Sequence, residues 1–382
     1  MLALLVAGGV VLLLVPVNRR TPDLAGDLQA IVAGAVRSDS GISNCVLAVA
    51  KGDGSFAWAG AAGMADAKSR RPMTADTPIY VASVTKLYTA TAVMLLAERG
   101  ALSLDDPMAK YLPPALIRDI NVYGGRDYGG EITLAQLLAH RSGIADYYSE
   151  KARDGRTLAD WLREDPGRQW TPEQTIARAR DEMQANFAPG AKTSYSDTNF
   201  QLLGMVIEAV TGKPLHTVFE DFFFRPLGLE HTWMVGHPWS GFARSARPAD
   251  VFHGATDITA SRANTAYWAE GGIVSTAADM IAFLKALEQG RIVRRDTLER
   301  MHQWRRWEFP LRYGYGTMLF ELPQPLRALA KFPPLWGHSG STGSFLYYAP
   351  ELDLYLAGTI DQTEAKRTPF LLMQRVTKRM LP

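Results

Sequence analysis

Segments with strand-like patterns lie at the two ends of this chain, and a long helical stretch separates them. Near the start, "SNCVLAVAKGDGSFAWAGAAG" alternates around a Gly-Asp-Gly turn, which predicts a β-hairpin. Near the end, "YGYGTMLFEL", "LWGHSGSTGSFLYYAP" and "LDLYLAGTID" are again typical of strands. The simplest architecture is one sheet built from both chain ends, with a helical subdomain inserted between them.

The predicted fold class is therefore α/β in the α+β sense, with an antiparallel sheet flanked by helices. The first part of this α/β domain is predicted at 18–100, the mainly helical subdomain at 101–272 and the second part at 273–382. A chain of 382 residues that is 47% hydrophobic can bury a sizeable core.

The first residues, 1–17, are predicted to be a signal or membrane anchor. Leu2–Val17 is almost wholly apolar, which predicts a membrane-associated N-terminal segment and an exported or anchored protein on the periplasmic or extracellular face. Arg19 and Arg20, which follow the run, argue the other way, for a cytoplasmic body.

Charge and metal-ligand patterns exclude several classes of protein. The net charge is only +2 and the basic residues are scattered, so nucleic acid is not an expected partner. The single cysteine, Cys45, cannot form an intramolecular disulfide, and the seven histidines show no H-E-x-x-H spacing. No metal or organic cofactor is expected.

The stretch "YVASVTKLYTATAVMLLAERG" carries the first chemical signal. Its apolar residues repeat at helical spacing and Gly100 is a suitable C-cap, so Ser83 falls at or near a helix N-terminus. Lys86, three residues later, lies on the same face. The pair can be a nucleophile and its activator, although Ser83 can equally be a simple N-cap.

A second serine, Ser339, lies in "GHSGS", which resembles the nucleophile elbow of α/β-hydrolases. That assignment fails because Ser341 replaces the closing glycine and no histidine follows His338. A serine activated by lysine remains, and it needs a proton-shuttling group and an oxyanion site. Candidates are Tyr195, Asp197 and Asn199 in a polar loop before an apolar helix, and His338, Ser339 and Gly340 on or beside a late strand.

Six motifs in order extend this pattern over most of the chain, from about Leu28 to Ile360. They are "SVTK", "LLAHRSGI", "APGAKTSYSDTNFQLLG", "PLGLEHTWM", "EGGIVSTAADMIAFL" and "GHSGSTG". In these motifs the sequence resembles the serine β-lactamase and penicillin-binding-protein superfamily, in the branch with class C β-lactamases, DD-carboxypeptidases, D-aminopeptidases and related esterases.

The resemblance implies roles for individual residues. Ser83 is the implied acylated nucleophile, Lys86 is its partner, kept partly neutral by burial so that it can accept a proton, and Tyr195 shuttles the proton to the leaving group. His338, Ser339 and Gly340 occupy the place of the K-T-G triplet beside the site. The backbone amides of Ser83 and Ser341 are the implied oxyanion hole.

Two residues depart from the family pattern. Asp197 stands where asparagine is frequent, and an ionised carboxylate there holds Lys86 in its charged form. His338 replaces lysine, which makes recognition of a substrate carboxylate pH-dependent. Both changes argue against a dedicated β-lactamase.

The expected function is a serine hydrolase acting on D-amino-acid peptides of the cell-wall type or on small esters. The alternative is a catalytically weak homologue that binds such ligands as a sensor or scaffold. Trp161, Trp170, Trp304 and Trp307 are expected to be packing residues rather than an acyl pocket, and His140 is expected to order a loop.

Overall fold

A computed structural model describes residues 23–37, 41–165, 167–259, 262–330 and 332–381. Its strands, most of them short, are β1 Asn44–Lys51, β2 Ala57–Asp66, β3 Arg71–Pro72, β4 Ile79–Tyr80, β5 Val122–Tyr123, β6 Arg126–Asp127, β7 Trp233–Met234, β8 Phe252–His253, β9 Thr256–Asp257, β10 Ile273–Ser275, β11 Arg305–Arg306, β12 Leu311–Tyr313, β13 Met318–Phe320, β14 Leu335–Ser339, β15 Phe345–Ala349 and β16 Leu354–Thr359.

The helices lie mainly between β4 and β11. They are α1 Leu24–Arg37, α2 Thr85–Glu98, α3 Pro114–Ile117, α4 Leu134–Leu138, α5 Leu158–Glu164, α6 Pro172–Glu182, α7 Asp197–Thr211, α8 Leu215–Phe219, α9 Arg225–Leu227, α10 Gly241–Ser245, α11 Trp268–Gly271, α12 Ala277–Glu288, α13 Arg295–Met301, α14 Leu326–Ala330 and α15 Thr368–Arg379.

One nine-stranded antiparallel sheet joins the two ends of the chain, in the order β11-β12-β13-β14-β15-β16-β1-β2-β3. The joint is the pairing of β1 with β16, in which Val46 faces Thr359. The hairpin predicted near the start is present as β1 and β2. The predicted fold class, a large antiparallel sheet flanked by helices, is confirmed.

Helix α2 crosses the interior of the molecule. Every residue from Thr85 to Leu96 is buried, as expected of a helix surrounded by other elements. It ends as predicted, with Gly100 in the left-handed region at φ +72° after the last turn. The buried helix therefore fixes the position of the residues at its N-terminal end.

The predicted N-terminal signal or anchor, 1–17, lies outside the described residues. Within the ranges that the structure does describe, no helix combines the length and the apolar character needed to span a membrane.

Candidate active site

Ser83 lies in a single 3-10 turn, Ala82–Val84, that runs directly into α2. Ala82 has φ +46°, a left-handed conformation that costs a non-glycine residue about 1 kcal/mol. Ser83 is partly exposed, whereas Val84 and the whole start of α2 are buried. The predicted position of Ser83 at a helix start is confirmed, and the structure holds this hydroxyl at an accessible point on a rigid element.

Lys86 is fully buried and lies between Ser83 and two carboxylates. Its Nζ is 3.0 Å from Ser83 Oγ, 2.6 Å from Asp197 Oδ1 and 2.7 Å from Glu270 Oε2. It also donates to the main-chain oxygen of Glu270 at 2.9 Å. The predicted pairing of Lys86 with Ser83 and Asp197 is thus observed, and Glu270 adds a second acidic partner.

The charge state of Lys86 differs from the sequence-based expectation. Burial lowers the pKa of this amine, but the charges of Asp197 and Glu270 raise it by more, so the net pKa is above the usual value. The expectation that burial keeps Lys86 partly neutral is wrong, because the attraction of Asp197 and Glu270 outweighs the effect of burial. Lys86 is an ammonium held between two acids.

Two acids near Lys86, Glu270 and Asp146, have pKa values that are raised to near neutral pH. Burial, and then the charge of Asp197, raise the pKa of Glu270 to about 8, against the opposing effect of Lys86. The same two causes raise the pKa of Asp146 to about 7. Asp146 Oδ1 accepts the backbone N–H of Asp197 at 3.1 Å, and Tyr147 donates to Glu270 Oε1 at 3.2 Å. Proton transfer can therefore occur within this cluster.

Sequence reasoning missed both Glu270 and Asp146. A signal for Glu270 was available, since it is a lone acid in the otherwise apolar stretch "YWAEGGIV", and charged residues are fully buried almost only when they are paired. The partner could not be read from the sequence, because 184 positions separate Glu270 from Lys86.

Tyr195 lies in the loop before α7, beside both catalytic candidates. Its ring centroid is 5.1 Å from Lys86 Nζ. Burial, and then Asp197, raise the pKa of the phenol well above its usual value, and its hydrogen bond with Ser83 lowers the pKa by less. The phenol is therefore protonated near neutral pH. Asp197 and Asn199 lie in the first turn of α7, not in the loop as predicted.

His140 holds the loop that carries Tyr195. Its ring packs on the Tyr195 ring at 4.2 Å, its Nδ1 accepts the N–H of Ser196 at 3.1 Å, and its main-chain oxygen accepts the N–H of Ser194 at 2.9 Å. Burial lowers the pKa of the imidazole well below its usual value. This contact pattern fits the expected role in ordering a loop.

The turn after β14 is hydrogen-bonded to the residues before Ser83. Ser344 and Thr342 donate from their hydroxyls to the main-chain oxygens of Val81 and Tyr80, at 2.7 and 2.9 Å. A Cβ at Gly340 would lie 2.4 Å from Val81 O, so this close approach needs glycine.

The predicted oxyanion donors lie on these two hydrogen-bonded segments. Ser83 lies two positions after Val81, and Ser341 directly follows Gly340. The backbone N–H groups of Ser83 and Ser341 donate to no other described residue. Two amides left without an acceptor can bind an oxyanion. Ser339 instead pairs its hydroxyl with Tyr347 at 2.8 Å.

His338 is buried and does not act as a cation. Its Nε2 lies 3.0 Å from the hydroxyl of Tyr313 and its Nδ1 lies 2.8 Å from Ser339 O. Burial, and then the positive charge of Lys86, lower the pKa of the imidazole to about 3. The expectation that His338 titrates near neutral pH as a carboxylate receptor is wrong, because the ring is fully buried and lies near the positive charge of Lys86. The assignment of His338, Ser339 and Gly340 to substrate binding stays a prediction.

A family model described as beta-lactamase matches residues 28–369 of this chain. Since this range is most of the chain, the protein belongs to the beta-lactamase family, as the resemblance of its motifs predicts.

Two curated relatives illustrate the family. Esterase EstB of Burkholderia gladioli is 32% identical over 225 residues, which are 58% of this chain and 54% of the relative. A D-aminopeptidase of Brucella anthropi is 29% identical over 253 residues, which are 64% of this chain and 42% of the relative. The matched part thus spans about half the length of these relatives.

Solved structures match over nearly their whole length. A D-stereospecific amidohydrolase from Streptomyces sp. aligns with a TM-score of 0.73 and 27% identity, over 93% of this chain and 97% of that one. The D-amino acid amidase from Ochrobactrum anthropi SV3, complexed with L-phenylalanine amide, aligns with a TM-score of 0.76 and 25% identity, over 94% and 98%.

Proposed function

We propose that this protein is a serine hydrolase that forms an acyl-enzyme on Ser83. The proposed substrates are D-amino-acid peptides or amides, as in a DD-carboxypeptidase, or small esters. The observation that carries the proposal is the contact of a partly exposed Ser83 hydroxyl with the buried Lys86 ammonium at 3.0 Å, next to a protonated phenol and two free backbone amides. The named relatives, an esterase, a D-aminopeptidase and an amidase, support the same range of substrates.

Acylation begins with loss of the Ser83 proton. Lys86 is already an ammonium, so it accepts that proton only as it passes one of its own to Asp197 or Glu270, at 2.6 and 2.7 Å. The Oγ of Ser83 bonds to the substrate carbonyl carbon, and the carbonyl oxygen takes the negative charge. The N–H groups of Ser83 and Ser341 stabilise that oxyanion.

Departure of the leaving group uses the phenol of Tyr195. The phenol donates its proton to the leaving nitrogen or oxygen as the bond to the carbonyl carbon breaks. The lysine–carboxylate cluster then returns the proton it took from Ser83 to the phenolate, so the site ends with its original number of protons. Water attacks the ester in the second half, and the same groups act in the reverse order.

An exported or membrane-anchored location is part of the proposal. It is supported by the apolar run Leu2–Val17 in the sequence. Cell-wall peptides outside the cytoplasm would then be within reach of the enzyme.

A substrate panel tests the function. We expect turnover of p-nitrophenyl esters or of a D-amino-acid amide or D-Ala-D-Ala peptide, and little turnover of a chromogenic cephalosporin. Mass spectrometry after quenching in acid is expected to locate the acyl group on Ser83. An intact protein that turns over nothing in the panel and does not react with a fluorophosphonate would favour the binding-only homologue.

The dependence of kcat/KM on pH tests the proton transfer. Glu270 has a raised pKa of about 8, so it is protonated below that pH and gains proton-accepting capacity as the pH rises through it. We expect kcat/KM to rise towards about pH 8 for neutral and for carboxylate-bearing esters alike. The two profiles should be parallel because the pKa of His338, about 3, keeps its ring neutral throughout. A loss confined to the carboxylate-bearing ester would restore the cationic role of His338.

Glu270→Gln tests which group causes the rise. The substitution removes the group whose titration is expected to cause the rise, so the rise in kcat/KM towards about pH 8 should disappear. Glu288→Gln is a matched control, since Glu288 also has a pKa raised mainly by burial but lies at the end of α12. An unchanged profile in Glu270→Gln would contradict its place in the proton path.

A further inference from the structure

A small surface pocket beside the candidate active site contains two arginines. Its polar lining consists of Gln136, Arg141, Gln303, Arg305 and Tyr315, and two alanines complete it, Ala135 in α4 and Ala139 directly after α4. Every one of these five side chains can donate a hydrogen bond, and none is acidic. The composition favours an anion as the ligand.

The donors of this arginine pocket are largely unused. Neither Arg141 nor Arg305 forms an ion pair with any residue in the described ranges. Arg141 donates to the main-chain oxygen of Gly190, which anchors its guanidinium and leaves other N–H groups available. Gln136 uses its Oε1 to accept the N–H of Thr133 at 3.0 Å, so its carboxamide offers its NH₂ group.

Two short paths connect the arginine pocket with Tyr195. Arg141 directly follows His140, whose ring lies 4.2 Å from the Tyr195 ring. Arg305, on the edge strand β11, lies two positions before Trp307, which directly follows that strand. The ring of Trp307 stacks on Tyr195 at 5.3 Å. Both arginines are therefore near in sequence to a ring that packs on Tyr195.

We propose that the arginine pocket binds a carboxylate at the far end of the substrate. This inference rests on the proposed hydrolase function and specifies the substrate class, namely acyl compounds that carry a remote carboxylate. Arginine suits the task because its planar guanidinium can bind a carboxylate through two parallel hydrogen bonds and keeps its charge at any working pH.

Selectivity between two esters tests the proposal. The substrates are the 4-nitrophenyl hemiester of suberic acid and its methyl-capped, uncharged counterpart. In Arg305→Met, we expect the ratio of kcat/KM for the acidic over the neutral ester to fall about tenfold, the effect of losing one charge-assisted hydrogen bond. Arg306→Met is the matched control, because the neighbouring side chain on the strand points to the other side, and its ratio should equal that of the wild type.

A binding measurement separates this inference from the function. Isothermal titration calorimetry of monomethyl suberate with the Ser83→Ala variant is expected to show weaker binding once Arg305→Met is added. Such weakening would support the pocket even if the wild type hydrolysed neither ester. An unchanged ratio in Arg305→Met, or an equal fall in Arg306→Met, would contradict the proposal that the pocket binds a substrate carboxylate. The proposed hydrolase function would not be affected by either result. Equal effects of free acetate on both esters would indicate a site for free anions and overturn the substrate assignment.

Discussion

Replacing Ser83 by alanine is expected to abolish turnover of every substrate and all covalent labelling by a fluorophosphonate. The acyl-enzyme has no other attachment point in the proposed mechanism, so kcat should fall by at least about 10⁴-fold. Labelling is measured by mass spectrometry of the intact protein and of its peptides. Ser339→Ala and Ser341→Ala are the matched controls, and both should still be labelled, because Ser339 pairs with Tyr347 and Ser341 acts through its backbone.

The Ser83→Ala variant should fold normally. Lys86 keeps its two carboxylate partners and its bond to the main-chain oxygen of Glu270, so no buried charge loses its compensation. Thermal unfolding close to that of the wild type would confirm this. Stoichiometric labelling of another serine in the folded variant would show that the nucleophile has been assigned wrongly.

The sequence predicts the architecture because its determinants are local. Alternating strand patterns at both ends and a buried helical run between them leave few alternatives to one shared sheet, and the pairing of β1 with β16 is the result. The turn around Gly-Asp-Gly and the C-cap at Gly100 are likewise properties of a few neighbouring residues. Such features can be read from one sequence without knowledge of distant contacts.

The charge balance of the site could not be predicted in the same way. Asp197 and Glu270 lie 2.6 and 2.7 Å from Lys86 Nζ. Together they raise the pKa of the amine by more than burial lowers it, and Asp197 has the larger effect. The sequence resemblance points to Asp197, but only the fold reveals the contact with Glu270.

The environment of His338 likewise could not be predicted from the sequence. A position in the place of the K-T-G triplet predicts a side chain that faces substrate. The structure instead buries the ring against Tyr313, where an unpaired charge would be costly. Resemblance correctly assigns the strand, but whether a side chain faces solvent or the core depends on neighbours such as Tyr313 that the motif does not contain.

Replacing Tyr195 by phenylalanine is expected to lower turnover of an amide substrate by roughly 10²- to 10⁴-fold, the usual loss when a general acid is removed. An amine leaves only if it receives a proton, and the phenol of Tyr195 is the proposed donor. A p-nitrophenyl ester releases a stable anion, so its turnover should fall much less. The measurement is kcat for one substrate of each kind in the wild type and in Tyr195→Phe.

Tyr88→Phe is the matched control for this comparison. It removes a phenolic oxygen that has no hydrogen-bond partner among the described residues, from a ring stacked on Phe283 within the core. Turnover of both substrates should therefore stay close to that of the wild type. If Tyr195→Phe lowered amide and ester turnover equally, the phenol would act before the leaving group departs, as a structural partner of Ser83. Wild-type amide turnover in that variant would mean that Lys86 itself delivers the proton, since it is the nearest remaining donor to Ser83.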